Sequence, residues 1–152
     1  MASAGLAVRR SNYPGPVLDY RVKIGKGEMP FEKILMNNCI RFEAESTTFE
    51  YEKDDGTMGH FRPDYMIRGQ GIRRGFVEIT TDMKKKQEKR RGMMKTHPDV
   101  NIIFLHYRLQ DGIHNFDAYN GIPMPNDEPN FRFSSEDTHP FFEYVKHWGI
   151  EH

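Results

Sequence analysis

One cysteine, Cys39, in 152 residues forbids an internal disulfide, so stability has to come from a packed core. No apolar stretch approaches the ~20 residues that a membrane-crossing helix requires. The opening Met1-Ala2-Ser3-Ala4-Gly5-Leu6-Ala7-Val8 is too short, and too poor in basic residues, for a signal peptide. Seven histidines include no His-Glu-x-x-His pattern and have no cysteine partners, which argues against zinc. Gly69-Gln70-Gly71 lacks the lysine and the helix start of a phosphate-binding loop. Net charge is missing as well: 22 basic side chains balance 22 acidic ones, so no global field draws the chain to nucleic acid or membrane. The expectation is a soluble, cytoplasmic, single domain of a size that buries one core.

Charge does segregate along the chain. Lys84, Lys85, Lys86, Lys89, Arg90, Arg91 and Lys95 stand against Glu88 alone, whereas the stretch from Asp111 onward holds eight acids against Arg132 and Lys146. A lysine run is most often a solvated helix face. Its position directly after a strand that carries an acid makes a phosphate-facing surface the sharper reading.

That acid belongs to the most informative pattern here. Phe61-Arg62-Pro63-Asp64-Tyr65-Met66-Ile67 and Phe76-Val77-Glu78-Ile79-Thr80 read as two strands joined by a glycine-bearing turn. A carboxylate within a strand is disfavoured and costly to bury without a partner. By period-two alternation Glu78 and Thr80 share one face, while Val77 and Ile79 take the other. Two carboxylates on neighbouring strands repel unless a cation lies between them, and hard oxygen donors suit Mg²⁺ or Mn²⁺. Pro-Asp alone is a common turn dipeptide, and Pro98-Asp99 reads as a mere helix-to-strand connector.

Pro63-Asp64, a spacer, then Glu78-Ile79-Thr80 resembles the signature of the PD-(D/E)xK nuclease superfamily, with threonine where the family has lysine. The resemblance covers about residues 27–108. It implies an α/β mixed sheet with a restriction-endonuclease-like core, of the kind also found in Holliday-junction resolvases. It implies a metal site formed by Asp64, Glu78 and the Ile79 carbonyl, with a glutamate from the first helix. Glu32 fits that role best, and Glu28 is second choice. The activity implied is Mg²⁺- or Mn²⁺-dependent hydrolysis of phosphodiester bonds, with DNA as substrate and a homodimer or a DNA-processing partner protein as company.

The missing lysine leaves two places to look. Thr80 can orient a water but carries no charge. Lys84 or Lys86, and next Lys89, are near enough in sequence to reach back from the following helix. Lys85, Lys89, Arg90 and Arg91 are the expected nucleic-acid contacts. If no lysine reaches the acids, the alternatives are a catalytically lapsed module that binds DNA or protein, and a small α/β protein with a structural ion.

The remaining elements follow from spacing and turn residues. Residues 1–26 read as an irregular arm. A helix at about 29–39 buries Phe31, Leu35 and Cys39, and one bent strand covers about 40–52. Asp54-Asp55-Gly56 marks a hairpin turn. Asp82 reads as the N-cap of a helix at about 83–96, and Val100–Tyr107 as an interior parallel strand reached by a right-handed crossover. Residues 109–152 read as loops ending in a short helix near 140–148.

Overall fold

The computed structural model describes residues 26–69, 72–120 and 128–149. The N-terminal arm expected over 1–26 lies outside the described residues, save for Lys26. Helix α1 (Glu28–Asn37) leads into β1 (Arg41–Ala44), β2 (Phe49–Glu52), β3 (Met58–Phe61), β4 (Tyr65–Gly69) and β5 (Ile72–Thr80). A 3-10 turn, Met83–Lys86, runs into α2 (Gln87–Thr96), followed by β6 (Ile102–Gln110), β7 (Ile113–Asn120), β8 (Phe131–Ser134) and α3 (His139–Lys146). The architecture is a mixed-sheet α/β fold with the three described helices about it. Its main sheet runs β1-β4-β5-β6-β7-β8, and β2-β3 forms a separate hairpin. Among the described strands only β5 and β6 pair in parallel, and α2 lies in the connection between them. No helix of the described residues is long and apolar enough to cross a membrane.

Alternation along the strands produces a core on each side of the sheet. Tyr65, Ile67, Val77, Ile79, Ile103 and Leu105 pack on one side with α1 and α3. Met66, Phe76, Ile102 and Phe104 face the other way and meet Tyr51, Phe61 and Met93 from the hairpin and α2. Helix α2 approaches β2 closely because residue 92 has no side chain. A Cβ there would lie 2.3 Å from Tyr51 Cδ2 and 2.7 Å from the Glu52 carbonyl oxygen. Gly92→Ala is therefore expected to destabilise the fold by ~1–3 kcal/mol, the usual cost of overpacking. Urea denaturation reads it as a lowered midpoint with unchanged slope.

Several sequence expectations are corrected. The stretch 40–52 is two strands in two different sheets, not one bent strand, because the chain turns at Glu45, whose φ is 51°. Cys39 is exposed just past the helix end, at φ 59°, where it cannot enter the core. Among the described residues after 109, β7 and β8 stand where loops are expected, while α3 is the short helix expected near 140–148. Phe116, Phe133, Phe141 and Val145 bury one side of this stretch, and its acids mask that alternation in the sequence.

Candidate active site

Asp64 is not inside a strand. It sits at a bend just before β4, and that bend is what frees its side chain. The β4–β5 register pairs Tyr65 with Val77 and would next carry Pro63 opposite Ile79. Proline has no N–H and ends the ladder. The Ile79 N–H instead donates to Asp64 Oδ2 at 2.7 Å. In return the Asp64 N–H donates to Glu78 Oε1 at 3.1 Å, and the Asp64 carbonyl accepts the Glu45 N–H at 2.9 Å. The two acids thus clamp each other's backbone, which sets their carboxyl groups side by side.

Glu78 is buried, and its Oε2 lies 2.8 Å from Lys86 Nζ. Lys86 is the last residue of the 3-10 turn, and only 22% of its side chain is exposed. Thr80 fixes the chain's exit from β5: its hydroxyl accepts the Asp82 N–H at 3.0 Å and donates to the Asp82 carbonyl at 3.1 Å. Asp82 precedes that turn without a side-chain capping bond. The Thr80 hydroxyl is therefore committed to backbone, while Lys86, six residues on, meets the buried acid.

Electrostatics make the cluster one unit. Burial, then the charges of Glu78 and Glu28, push the Asp64 carboxyl up to about 8, against the opposing pull of the Ile79 N–H and Lys86. Burial, then the neighbouring Lys86 charge, lowers Lys89, although Glu78 and Asp64 act the other way. Lys89 Nζ stands 5.4 Å above the Phe61 ring. From the opposite face of β4, the Tyr65 hydroxyl donates to Glu32 Oε2 and lies 3.4 Å from Glu28 Oε1. Both glutamates are buried on α1.

The sequence-derived residues fall into two groups. Glu28, Asp64, Glu78, Lys86 and Lys89 interact as one electrostatic cluster, and Glu32 joins through Tyr65. Lys84 and Lys85 are exposed to solvent. Arg91 is exposed and forms a pair with Asp54, at 2.6 Å. Arg90, expected at the phosphate-facing surface, is 2% exposed. Its Nε donates to the Asn120 carbonyl at 2.6 Å, and its guanidinium carbon lies 5.2 Å from the Tyr119 ring centroid. The arginine alternates to the inner face of α2 and serves as a structural tie. Tyr65, which joins the α1 glutamates, gives no signal of its own in the sequence, where it is one apolar strand residue among several.

The donor set suits a hard divalent cation: two adjacent carboxylates and the Ile79 carbonyl, with α1 acids behind. Among the described residues no three His, Cys, Asp or Glu side chains form a ready-made metal cage. Mg²⁺ commonly takes one or two carboxylates and completes its shell with water and substrate phosphate. Comparison of the chain with protein-family models, with curated proteins and with solved structures finds no match.

Proposed function

We propose that this protein is a metal-dependent nuclease that hydrolyses phosphodiester bonds in DNA, with Lys86 in place of the lysine that its motif lacks. The observation carrying this reading is the 2.8 Å contact of Lys86 with Glu78, beside an Asp64 whose own backbone Glu78 holds. The chain order of α1, the antiparallel pair β4–β5, α2 and the parallel strand β6 is also the order that the PD-(D/E)xK resemblance implies. On this reading β4, β5, β6 and the helices form a restriction-endonuclease-like core.

Asp64, Glu78, the Ile79 carbonyl and Glu32, with Glu28 beside it, would hold Mg²⁺ or Mn²⁺. When bound, such an ion polarises a phosphoryl oxygen and acidifies a bound water. The chain's own residues do the rest. Lys86 keeps a positive charge at the acid pair, where charge builds up on a phosphate undergoing attack. Thr80 ties down the turn that aims Lys86, and the rings of Phe61 and Tyr65 bound the cluster on either side.

The test is digestion of duplex, branched and single-stranded DNA, and of RNA, with Mg²⁺ or Mn²⁺ and with chelator. Asp64→Ala and Glu78→Ala are expected to abolish cleavage and calorimetric Mn²⁺ binding while the fold persists. Unchanged Mn²⁺ affinity in both variants would sink the metal site. Metal and DNA binding by the parent without cleavage of any substrate would select the catalytically lapsed module.

A further inference from the structure

On the half of the sheet farthest from β1, the face that carries the core residues Phe104 and Tyr119 continues past them as a surface that the proposed chemistry does not use. Phe116, Ala118 and Phe133 turn toward α1 and α3. The alternate residues therefore look toward the side that carries Glu78. Register lines them up as a row, with Thr80 beside His106, His106 beside Asp117, and Asp117 beside Arg132. At ~4.8 Å per strand, that row spans ~14 Å from the edge of the acid pair.

Within it, Asp117 is a buried carboxylate that serves two arginines. Its Oδ1 accepts Arg108 Nη2 at 3.0 Å and Arg132 Nε at 3.2 Å, and its Oδ2 accepts Arg108 Nε at 3.2 Å. Two guanidiniums on one carboxylate leave a surplus positive charge. The Arg132 side chain is 68% exposed and that of Arg108 38%, against 10% for Asp117. Arg132 binds Asp117 through Nε alone, so its two terminal nitrogens donate to no described residue. Such a fork, fixed at its base and open at its tip, matches a phosphate. Beyond the buried Phe104 and Tyr119, this face continues with His106, Asn115 and Ser134, polar and partly exposed, and ends at Gln110 and Ile113. Its described Phe and Tyr rings, Phe104 and Tyr119, are buried in the core and give an unpaired base no platform, which favours backbone contact with a duplex over capture of a single strand.

The geometry points to this face of β6, β7 and β8 as the track that holds the phosphodiester backbone of duplex DNA next to the acid pair. Arg132 is its phosphate ligand, Arg108, whose Nη1 also donates to Gln110 Oε1 at 3.1 Å, adds a second positive charge beside it, and Asp117 is the positioning residue that orders both. The assignment rests on the proposed nuclease reading for its substrate, but not on cleavage. The acid-rich segment after Asp111 thereby supplies the carboxylate that orders two cations.

Binding of a labelled duplex is measured across a salt series in chelator, with cleavage in Mg²⁺ assayed separately. Arg132→Gln leaves Asp117 paired with Arg108 and is expected to weaken binding and flatten the salt slope by about one unit. Arg108→Gln/Asp117→Asn/Arg132→Gln, which leaves no buried charge unpaired, is expected to remove about two. Arg41→Gln/Arg68→Gln, a cross-strand pair at the far end of β1 and β4, is expected to change neither. Asp117→Asn alone is expected to weaken binding despite removing a negative charge, since the forks lose their anchor. Unaltered affinity and slope in Arg132→Gln and the triple variant, or loss only in the Arg41/Arg68 pair, would overturn the track. If the parent still cuts DNA in that case, the nuclease reading stands without it. Arginine-dependent binding without any cleavage would leave the track standing and remove the nuclease. A parent that binds no duplex overturns the track outright.

Discussion

On the proposed nuclease reading, Lys86→Met is expected to lower the rate of Mg²⁺-dependent cleavage at saturating DNA by ~10²–10³-fold, the range typical of losing one preorganised electrostatic group. The cause is local. Lys86 is the lysine in contact with Glu78, whereas the Lys84 and Lys85 side chains are exposed to solvent. Lys84→Met and Lys85→Met are expected to act on affinity, flattening the salt slope by about one unit for each phosphate they cease to neutralise. Removing Lys86 also leaves Glu78 buried without its cation, which itself destabilises a fold. Two further variants separate chemistry from folding. Lys86→Arg keeps the charge and is expected to retain the fold while losing rate, because a planar guanidinium does not place its donors where an ammonium does. Thr80→Lys in the Lys86→Met background returns a cation to the face of β5 that carries Glu78 and is expected to recover part of the rate. Single-turnover kinetics and thermal melts on the same samples decide the matter. Equal, small effects from all three lysines would remove Lys86 from the chemistry.

A second large effect is expected in the pH dependence of stability of the metal-free protein. The Asp64 carboxyl titrates near 3.8 in an unfolded chain, and burial beside Glu78 and Glu28 moves it to about 8 in the fold. Between those values the folded state keeps a proton that the unfolded chain has released. The stabilising contribution is therefore full below pH ~4 and is lost as pH rises toward 8, by on the order of a few kcal/mol. Asp64→Asn removes the titrating group and is expected to flatten the dependence across that window, raising stability near neutral pH. Mn²⁺ is expected to restore wild-type stability at pH 7–8, with release of a proton on binding. Chemical denaturation at several pH values, with and without Mn²⁺, reads both effects. A variant whose stability falls with pH as steeply as the parent's would show that Asp64 does not carry the buried proton.

The candidate site is legible in part because its strongest signals are local. Pro63-Asp64 and Glu78-Ile79-Thr80 carry their meaning in adjacent residues, and strand alternation alone puts Glu78 opposite Val77 and Ile79. The parallel strand β6 is legible for the same reason, since an uninterrupted apolar run fits only a strand covered on both faces. The helix over 83–96 can be read from the sequence, but not its first turn. That 3-10 segment rotates Lys86 onto Glu78, and no periodicity argument distinguishes Lys84 from Lys86 at such range.

What the sequence by itself determined is the strand alternation that turns Val77 and Ile79 to the core opposite Glu78, and the presence of two acids, Asp64 and Glu78, close together about one hairpin. Both are set by nearest-neighbour geometry and by the cost of burying a carboxylate. Tertiary structure alone decided which cations meet those acids. Arg90 turned inward to Asn120, Lys86 reached Glu78, and Asp117 gathered Arg108 and Arg132 across three strands. Each of these depends on how a helix rotates about its axis or on the register between strands distant in sequence. Those quantities are fixed by packing of the whole domain, through close approaches such as Gly92 on Tyr51, and not by the identity of the charged residue.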